Sequence, residues 1–387
     1  MRFIHVADLH LGKRVHEYSM IEDQRIMLAS LLDLCREERP DALLMAGDIY
    51  DKSIPSLEAM RLLEDFLLEL SALDLQVMII AGNHDSGERL AFGGPFFKAH
   101  KLHLAGVFSG RLDRVDLMGR EGPVSFHLLP FVRPADVRPY FPDQEISSVS
   151  QAVSAALSTM EPGPGRQVLM AHQFVTCRGQ TPLRSDSEVL QIGSLDQMDA
   201  SVFQAFDYVA LGHLHRMQQL GQGPLYYSGS PLAYSFSEIG QTKGALLVDL
   251  AGDGRATVRQ VPLKARHAMR RIQGKLDVLL EEGRQLEVRE DPARLDYLEI
   301  ILTDQEPVTD PMNRLKSLYP QLMRLRFERD FLEDDRQDAM LDGEDLRSMS
   351  LLDLFSDFFL SQTGRPLTDR QRAIVKEAAD RAQEKQP

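Results

Sequence analysis

The sequence has only two cysteines, Cys35 and Cys177, and no tryptophan in 387 residues. Two cysteines cannot build a disulfide framework or a thiolate zinc site, which fits a reducing compartment. The chain also lacks an apolar run of the roughly 18 residues that span a bilayer. Its start carries Arg2, His5 and Asp8 where a signal peptide needs an apolar core. We therefore expect a cytoplasmic protein.

Positive charge is also scarce. The chain has 44 Lys and Arg against 58 Asp and Glu, a formal net charge of -14. This balance argues against a protein that binds polyanions by bulk attraction, so a local basic patch or bound metal ions would have to supply any such binding. The length and the 43% hydrophobic content predict two or three domains with buried cores.

Residues 1–262 alternate short apolar runs with amphipathic segments, which predicts an α/β domain. One helix is predicted around Leu28, Leu31, Leu32 and Cys35 and ends before Pro40; a second has Met60, Leu63, Leu67 and Leu70 on one face. The predicted strands are FIHVA, ALLMAG, VMIIAG, QVLMA, YVALG and ALLVDL.

The pattern changes near residue 263. Residues 263–329 predict a smaller α+β domain, with a helix around RRIQGKLDVLLEEG. Residues 330–345 carry eight acids and one arginine, which predicts a solvated acidic linker. Residues 346–387 predict a pair of C-terminal helices, which either folds back on its own chain or docks on a partner. We favour the partner because of its apolar stripe, Leu351, Leu354, Phe355, Phe358 and Phe359.

Five predicted strands of the first domain are followed by polar motifs. A single histidine after a strand is usually a hydrogen-bonded structural residue, but five such motifs would converge at the carboxyl ends of one set of strands. Burying them together needs compensating partners, which a shared metal cluster provides. The side chains concerned are Asp8, His10, Asp48, Asn83, His172, His213 and His215.

Seven ligands are more than one ion can use while leaving room for a substrate. Two ions roughly 3.5–4 Å apart, bridged by one carboxylate, are the natural number. Imidazole, carboxylate and amide donors without thiolate favour manganese, iron or zinc over a calcium site.

The order and spacing of D-L-H, GD-x-x-D, GNHD, a single His and GH-x-H resemble the calcineurin-like binuclear metallophosphoesterases. Longer stretches, HVADLHLGK, YYSGSPLAYSFSE and LFSDFFLSQTGRPLTDRQ, resemble the SbcD family of bacterial nuclease subunits. This resemblance covers essentially the whole chain. It implies an α/β fold, a four-layer β-sandwich flanked by helices, with a smaller α+β capping domain and a C-terminal helical pair.

The resemblance also implies an activity. Members of the family hydrolyse DNA phosphodiester bonds with two manganese ions, with magnesium, iron and zinc as alternatives. They act as 3′–5′ double-strand exonucleases and as single-strand or hairpin endonucleases in DNA repair, recombination and replication. This implies a location at the nucleoid.

The family pattern implies a role for each matching residue. One metal is assigned to Asp8, His10, Asp48 and His215, and the other to Asp48, Asn83, His172 and His213, so that Asp48 bridges the two. His84 matches the catalytic histidine. Asp51 stands where archaeal relatives carry a histidine; we expect Asp51 and Asp85 to orient ligand side chains rather than to bind metal.

The resemblance implies two further kinds of partner. The chain has no Walker motif, so the SbcC ATPase would supply ATP dependence in a heterotetramer of two copies of each subunit, and the C-terminal helices would grip the base of its coiled coil. The nuclease domain would also form a homodimer. Duplex DNA would contact the capping domain, where a stretch with five basic residues and no acid is either a DNA contact or a solvated helix entrance: Lys264, Arg266, Arg270, Arg271 and Lys275.

Two alternatives stay open at this point. A phosphomonoesterase or small-molecule phosphodiesterase could use the same scaffold, although Lys52 stands where the protein phosphatases of the superfamily carry an arginine. A metal-free scaffold that only carries its partner is the other alternative, and the presence of all seven ligands disfavours it.

Overall fold

The structure is a computed structural model. It describes residues 1–177, 182–188 and 198–328, and a few short pieces of the C-terminal region (355–356, 367–368, 370–372 and 375–376). The acidic linker predicted at 330–345 lies outside the described residues, as do Leu351, Leu354, Phe358 and Phe359; Phe355 is described and is 40% exposed. Within the described part of the chain, no helix has the length and apolar character needed to cross a membrane.

The helices of the described residues differ widely in length. They are α1 Ile21–Glu38, α2 Leu57–Ser71, α3 Gly87–Leu90, α4 Gly94–Lys98, α5 Pro134–Val137, α6 Val149–Ser158, α7 Leu276–Val288 and α8 Pro311–Lys316. Short 3-10 turns lie at Arg138–Tyr140, Ala200–Phe203, Phe236–Glu238 and Pro292–Leu295.

The strands of the described residues fall into two large sheets and three small ones. They are β1 Arg2–Val6, β2 Arg14–Val15, β3 Tyr18–Ser19, β4 Ala42–Ala46, β5 Gln76–Ile80, β6 Leu102–Ala105, β7 Asp113–Gly119, β8 Gly122–Leu129, β9 Arg166–His172, β10 Val175–Thr176, β11 Met198–Asp199, β12 Tyr208–Gly212, β13 Gln218–Gln219, β14 Leu225–Tyr227, β15 Gly244–Leu250, β16 Ala256–Pro262, β17 Met269–Gly274, β18 Tyr297–Leu302 and β19 Leu322–Phe327. The six apolar runs predicted as strands are β1, β4, β5, β9, β12 and β15, so these predictions are confirmed.

Each large sheet has six strands. The first has the order β16-β15-β1-β4-β5-β6 and the second β13-β14-β12-β9-β8-β7. In the first sheet β1, β4, β5 and β6 are parallel, and β15 runs antiparallel to β1. In the second, β8, β9, β12 and β14 are parallel. The parallel strands of each sheet therefore present their carboxyl ends at one edge.

The two sheets bury a shared core. Side chains alternate along each strand, so Leu44 of β4 faces the core between the sheets while Leu43 and Met45 face the helices. Helices α1 and α2 cover the first sheet and α6 covers the second. This arrangement is the predicted four-layer sandwich.

Helix α1 confirms its predicted apolar face, because Leu28, Leu31, Leu32 and Cys35 are all buried. The helix ends at Arg39, which has a left-handed backbone conformation and whose amide donates to the Cys35 carbonyl.

Helix α2 differs from its prediction. Its buried face consists of Ala59, Leu62, Leu63, Phe66 and Leu70, whereas Met60 is 48% exposed. The position at which Ser56 caps the helix decides which side chains face the core. The spacing of the leucines and of Met60 alone did not predict the centre of this apolar face.

The chain divides into two compact units. The first comprises residues 1–271, 286–299 and 319–324, and the second residues 272–285, 300–318 and 325 onward. The strands β17, β18 and β19 pair in the order β17-β18-β19.

The helix predicted around RRIQGKLDVLLEEG is wrong in its first part, because RRIQG forms most of β17. Helix α7 starts at Leu276, whose amide donates to Asp304 Oδ2 at 2.8 Å.

Candidate metal centre

The seven predicted ligands all lie just beyond the carboxyl ends of parallel strands. Asp8 and His10 follow β1, Asp48 follows β4 and Asn83 follows β5. In the second sheet His172 ends β9, and His213 and His215 follow β12. Although up to 207 positions apart in sequence, these side chains lie side by side, and His84 joins them.

Four of these residues have left-handed backbone. The φ angles are 55° at Asp8, 44° at His10, 49° at Asp48 and 103° at His213. Such angles cost free energy in residues other than glycine and persist only where the surroundings enforce them. Backbone hydrogen bonds do this here: the Asp8 amide donates to the Gly47 carbonyl at 3.0 Å, and the His10 amide to the Asp48 carbonyl at 2.9 Å. The turns that carry the ligands are therefore rigidly shaped.

One group of possible ligands comprises Asp8, His10 and His215, which are buried and whose ligand atoms lie within 4.8 Å of one another. The Nε2 atoms of His10 and His215 face each other at 3.1 Å. Asp48 Oδ2 lies 3.6 Å from the same nitrogen of His10.

The other group surrounds Asn83. Its Oδ1 lies 3.1 Å from His172 Nε2 and 3.0 Å from His213 Nδ1. Asp48 Oδ2 is 3.4 Å from His172 Nε2. The Asp48 carboxylate thus stands between the two groups and borders both.

The donor atoms fit divalent cations. His172 Nδ1 lies 2.8 Å from the Ala46 carbonyl, an acceptor, so this nitrogen carries a hydrogen. In the neutral ring Nε2 then carries a lone pair, and this lone pair points at the oxygens of Asp48 and Asn83. Lone pairs facing one another in a buried place need a proton or a metal ion between them.

Burial and close neighbours shift the pKa values of the ligand side chains. Burial raises the pKa of Asp8 well above its ordinary value, and it lowers the pKa of His10 well below. Burial also disfavours charge on Asp48, but the neighbouring His172 outweighs it and holds the pKa of Asp48 well below its usual range. The same pairing raises the pKa of His172 to about 9 against the effect of burial. Metal binding must therefore displace protons from this centre.

The Asp85 carboxylate connects two loops through hydrogen bonds. Its carboxylate accepts hydrogen bonds from the amides of Gly82 (2.8 Å), Ile49 (3.1 Å) and Tyr50 (2.9 Å). Burial and the nearby Asp48 raise its pKa to about 6. Asp85 thereby ties the loop that carries Asp48 to its own loop.

Asp51 and His84 are half-buried at the border of the centre. Asp51 Oδ1 is 2.7 Å from Lys13 Nζ and 3.7 Å from His10 Nδ1. His84 is anchored twice: its amide donates to Asp48 Oδ1 at 2.9 Å, and its Nδ1 lies 2.9 Å from the Asp51 carbonyl. Because that carbonyl is an acceptor, Nδ1 carries a hydrogen and Nε2 is the nitrogen that can exchange a proton.

Several side chains that build this centre were not predicted from the sequence. Gln24 Nε2 donates to the His10 carbonyl at 2.7 Å, and the Tyr234 hydroxyl donates to the Leu9 carbonyl at 2.5 Å. The His215 amide donates to Glu188 Oε1 at 2.7 Å. Tyr234 lies in the stretch YYSGSPLAYSFSE, but that pattern does not say what its side chains contact.

The basic residues predicted to bind DNA fall into two kinds. Arg270 and Arg271 pair with buried or half-buried acids, Asp296 at 2.6 Å and Glu299 at 2.5 Å. Lys264, Arg266 and Lys275 are exposed and form no such ion pair with a described residue.

Known families match most of the chain. Residues 1–217 match the family described as calcineurin-like phosphoesterase, and residues 265–363 match the SbcD C-terminal family, described as type 5 capsule protein repressor C-terminal domain. The SbcD subunit of the SbcCD nuclease of Staphylococcus epidermidis is 34% identical over 330 residues, which are 84% of this chain and 85% of that relative. The chain belongs to the SbcD family. Membership in the SbcD family makes it a metal-dependent phosphoesterase that uses divalent ions.

One solved structure that resembles the SbcD-family chain is a dimetal phosphatase from Danio rerio. It is 14% identical, has a TM-score of 0.38, and the match covers 67% of this chain and 98% of that one.

Proposed function

We propose that the chain is the nuclease subunit of an SbcC–SbcD-type complex. It hydrolyses DNA phosphodiester bonds as a 3′–5′ double-strand exonuclease and a single-strand or hairpin endonuclease, in DNA repair, recombination and replication at the nucleoid. The observation that carries this proposal is the position of Asp48, whose carboxylate borders both ligand groups. The name and sequence of the Staphylococcus epidermidis relative support it.

Two divalent ions held at this centre would polarise the phosphodiester, activate a water molecule and offset the charge on the leaving oxygen. Asp8, His10 and His215 would hold one ion, Asn83, His172 and His213 the other, and Asp48 both. We assign manganese as the ion, with magnesium, iron and zinc as alternatives, because the donors are imidazole nitrogens and oxygens without a thiolate.

His84 is suited to act on the leaving group. Its Nδ1–H donates to the Asp51 carbonyl whether the ring is neutral or protonated, so the ring keeps its orientation through a proton transfer. Its Nε2 can then donate a proton to the 3′ oxygen that leaves phosphorus. Asp51 serves this step through its backbone, and its carboxylate holds Lys13.

DNA contacts beyond the centre are assigned first to the exposed Lys264 and Arg266. Lys275 is also exposed, whereas Arg270 and Arg271 would have to leave their acidic partners to reach a phosphate. We propose residues 263–329 as the capping domain that carries these contacts.

The partners follow the same reasoning. The C-terminal helices of residues 346–387, behind the linker 330–345, would bind the SbcC coiled coil, in an assembly of two copies of each subunit. A homodimer through the nuclease domain fits the exposed apolar side chains Leu57, Leu68 and Phe92, which are 71%, 71% and 81% exposed.

The test is cleavage of an end-labelled hairpin duplex by the purified chain with manganese, with magnesium and without metal. Asp48→Ala should abolish the manganese-dependent cleavage. Asp207→Asn is the matched control, because among the described residues the hydrogen bond of the Asp207 carboxylate is the one it accepts from the Gln167 amide at 2.7 Å, and an amide oxygen can accept it too.

Two results would contradict the proposal. Intact DNA alongside hydrolysis of a small phosphate ester, with SbcC added, would indicate a different phosphoesterase. Unchanged cleavage by Asp48→Ala would remove the bridging role of that carboxylate.

A further inference from the structure

A buried polar chain lies behind His215, on the side away from the other ligands. It begins with Glu238, the last residue of the stretch YYSGSPLAYSFSE, which is 1% exposed. Glu238 Oε2 lies 2.5 Å from Lys243 Nζ. The same oxygen accepts a hydrogen bond from the Tyr234 amide at 3.3 Å. A carboxylate surrounded by donors and an ammonium is ionised and can only accept.

The Ser187 hydroxyl connects this carboxylate to the ring of His215. Its Oγ is 2.5 Å from Glu238 Oε1 and 2.7 Å from His215 Nδ1. Glu238 Oε1 is itself 3.5 Å from the same ring nitrogen.

The hydroxyl has one hydrogen, and this fixes the direction of both bonds. Because Glu238 can only accept, Ser187 donates its hydrogen to Glu238. The Ser187 oxygen is then left to accept from His215, so Nδ1 must carry the ring hydrogen. In the neutral ring the lone pair then lies on Nε2, the atom that faces His10 Nε2 at 3.1 Å.

We infer that Glu238 is a positioning residue: acting through Ser187, it fixes the Nδ1–H tautomer of His215 and so presents the Nε2 lone pair to a divalent metal ion. Glu238 is not one of the seven ligand side chains. The inference rests on the two-metal function proposed above and adds a residue to it.

The informative substitution is Glu238→Gln, which keeps the size of the side chain and replaces one hydrogen-bond acceptor with a donor. Lys243 and the Tyr234 amide both donate to Oε2, so the new amide oxygen takes that place and the NH2 group faces Ser187. Ser187 then accepts from the amide and donates to Nδ1. The hydrogen of the neutral His215 ring moves to Nε2, which can no longer bind an ion.

Two measurements on the full chain test this. Selective 15N-histidine labelling and NMR report which nitrogen of His215 carries the hydrogen before metal is added. Titration with Mn2+, followed by the EPR signal of the free ion, reports how many ions bind and how tightly. We expect Glu238→Gln to show the Nε2–H tautomer and to bind one of two ions about 10–100-fold more weakly, the range typical of lost partners of metal ligands.

Two further variants separate tautomer control from general damage. Ser187→Ala leaves Glu238 Oε1 facing Nδ1 at 3.5 Å, so the tautomer should persist and the affinity should fall by less than in Glu238→Gln. Asp207→Asn, a carboxylate-to-amide change remote from this chain of contacts, should change neither measurement.

The inference is overturned if Glu238→Gln keeps both the Nδ1–H tautomer and the affinity, or if Ser187→Ala weakens binding more than Glu238→Gln does. A wild-type chain with His215 already in the Nε2–H form would overturn it without any variant, which covers the case that Glu238→Gln does not fold. A wild-type chain with the expected tautomer and two bound ions that leaves DNA intact would contradict only the proposed nuclease function.

Discussion

Gly82, the first residue of GNHD, lies against the bridging carboxylate. A methyl group added at Gly82 would sit 2.1 Å from Asp48 Oδ1 and 2.3 Å from the Asp48 amide nitrogen. The φ angle of Gly82 is outside the left-handed region, so alanine could adopt its backbone conformation. Alanine at position 82 is therefore disfavoured only by its steric clash with Asp48.

The size of the effect follows from these distances. Ordinary contact begins at 3.4 Å, so in Gly82→Ala the loop or the carboxylate must move by about 1.3 Å. A displacement of that size at a reacting centre costs about 100-fold in rate, and the overpacking about 1–3 kcal/mol of stability.

The assay measures hydrolysis of a chromogenic phosphodiester over a range of Mn2+ concentrations, with thermal unfolding alongside. Gly94→Ala is the matched control, because nothing lies within 4 Å of a methyl group added there. A Gly82→Ala chain that binds Mn2+ and turns over like wild type would refute the reasoning that this close approach sets the position of Asp48.

Three other predictions follow from the structure. Burial lowers the pKa of His5 to about 3, so the unfolded chain takes up a proton below pH 6.5 that the fold excludes. His5 should contribute about 2 kcal/mol to the loss of stability between pH 7.5 and pH 5, and urea unfolding at the two pH values should show a loss smaller by that amount in His5→Leu. Burial raises the pKa of Cys35 to about 12, so a thiol reagent at pH 8 should modify the half-buried Cys177 and spare Cys35 until the chain unfolds; modification of native Cys35 would contradict its burial. Replacing Lys264 and Arg266 together by glutamine should weaken DNA binding equally for all sequences and lower the slope of log K against log salt by up to about 2, whereas an unchanged slope would show that neither touches phosphate.

Six of the strands, and the meeting of the seven predicted ligand side chains, could be predicted from the sequence. Each of the six apolar runs is too short for an ordinary helix, and a polar motif after five of them places its side chain at the strand end, where topology brings the ends together. The local pattern was therefore informative for residues such as Asp48 and His172. The helix prediction over RRIQG failed because these residues alternate between half-buried and exposed along β17, a pairing set by distant strands.

The contacts that orient the ligands could not be read from the sequence. Ser187 lies 28 positions from His215 and 51 from Glu238, and no periodicity links them. The left-handed backbone at Asp8 and His10 was likewise invisible, because it is imposed by the Gly47 and Asp48 carbonyls of the next strand's loop. Sequence patterns identify the ligand side chains, whereas long-range packing decides which atom of each side chain faces the metal ion.

The position of β1 in its sheet has a consequence for folding while the chain is being synthesised. β1 is synthesised long before one of its two neighbours in the sheet, because it lies between β4 and β15, and its antiparallel partner β15 spans Gly244–Leu250. Until more than 240 further residues have been made, one edge of β1 has unpaired amides and carbonyls, which invites pairing with another chain. A nascent or truncated chain that ends before Gly244 should therefore aggregate or require a chaperone, and the nuclease domain should acquire its fold, and with it the ability to retain metal, in a single late step of translation.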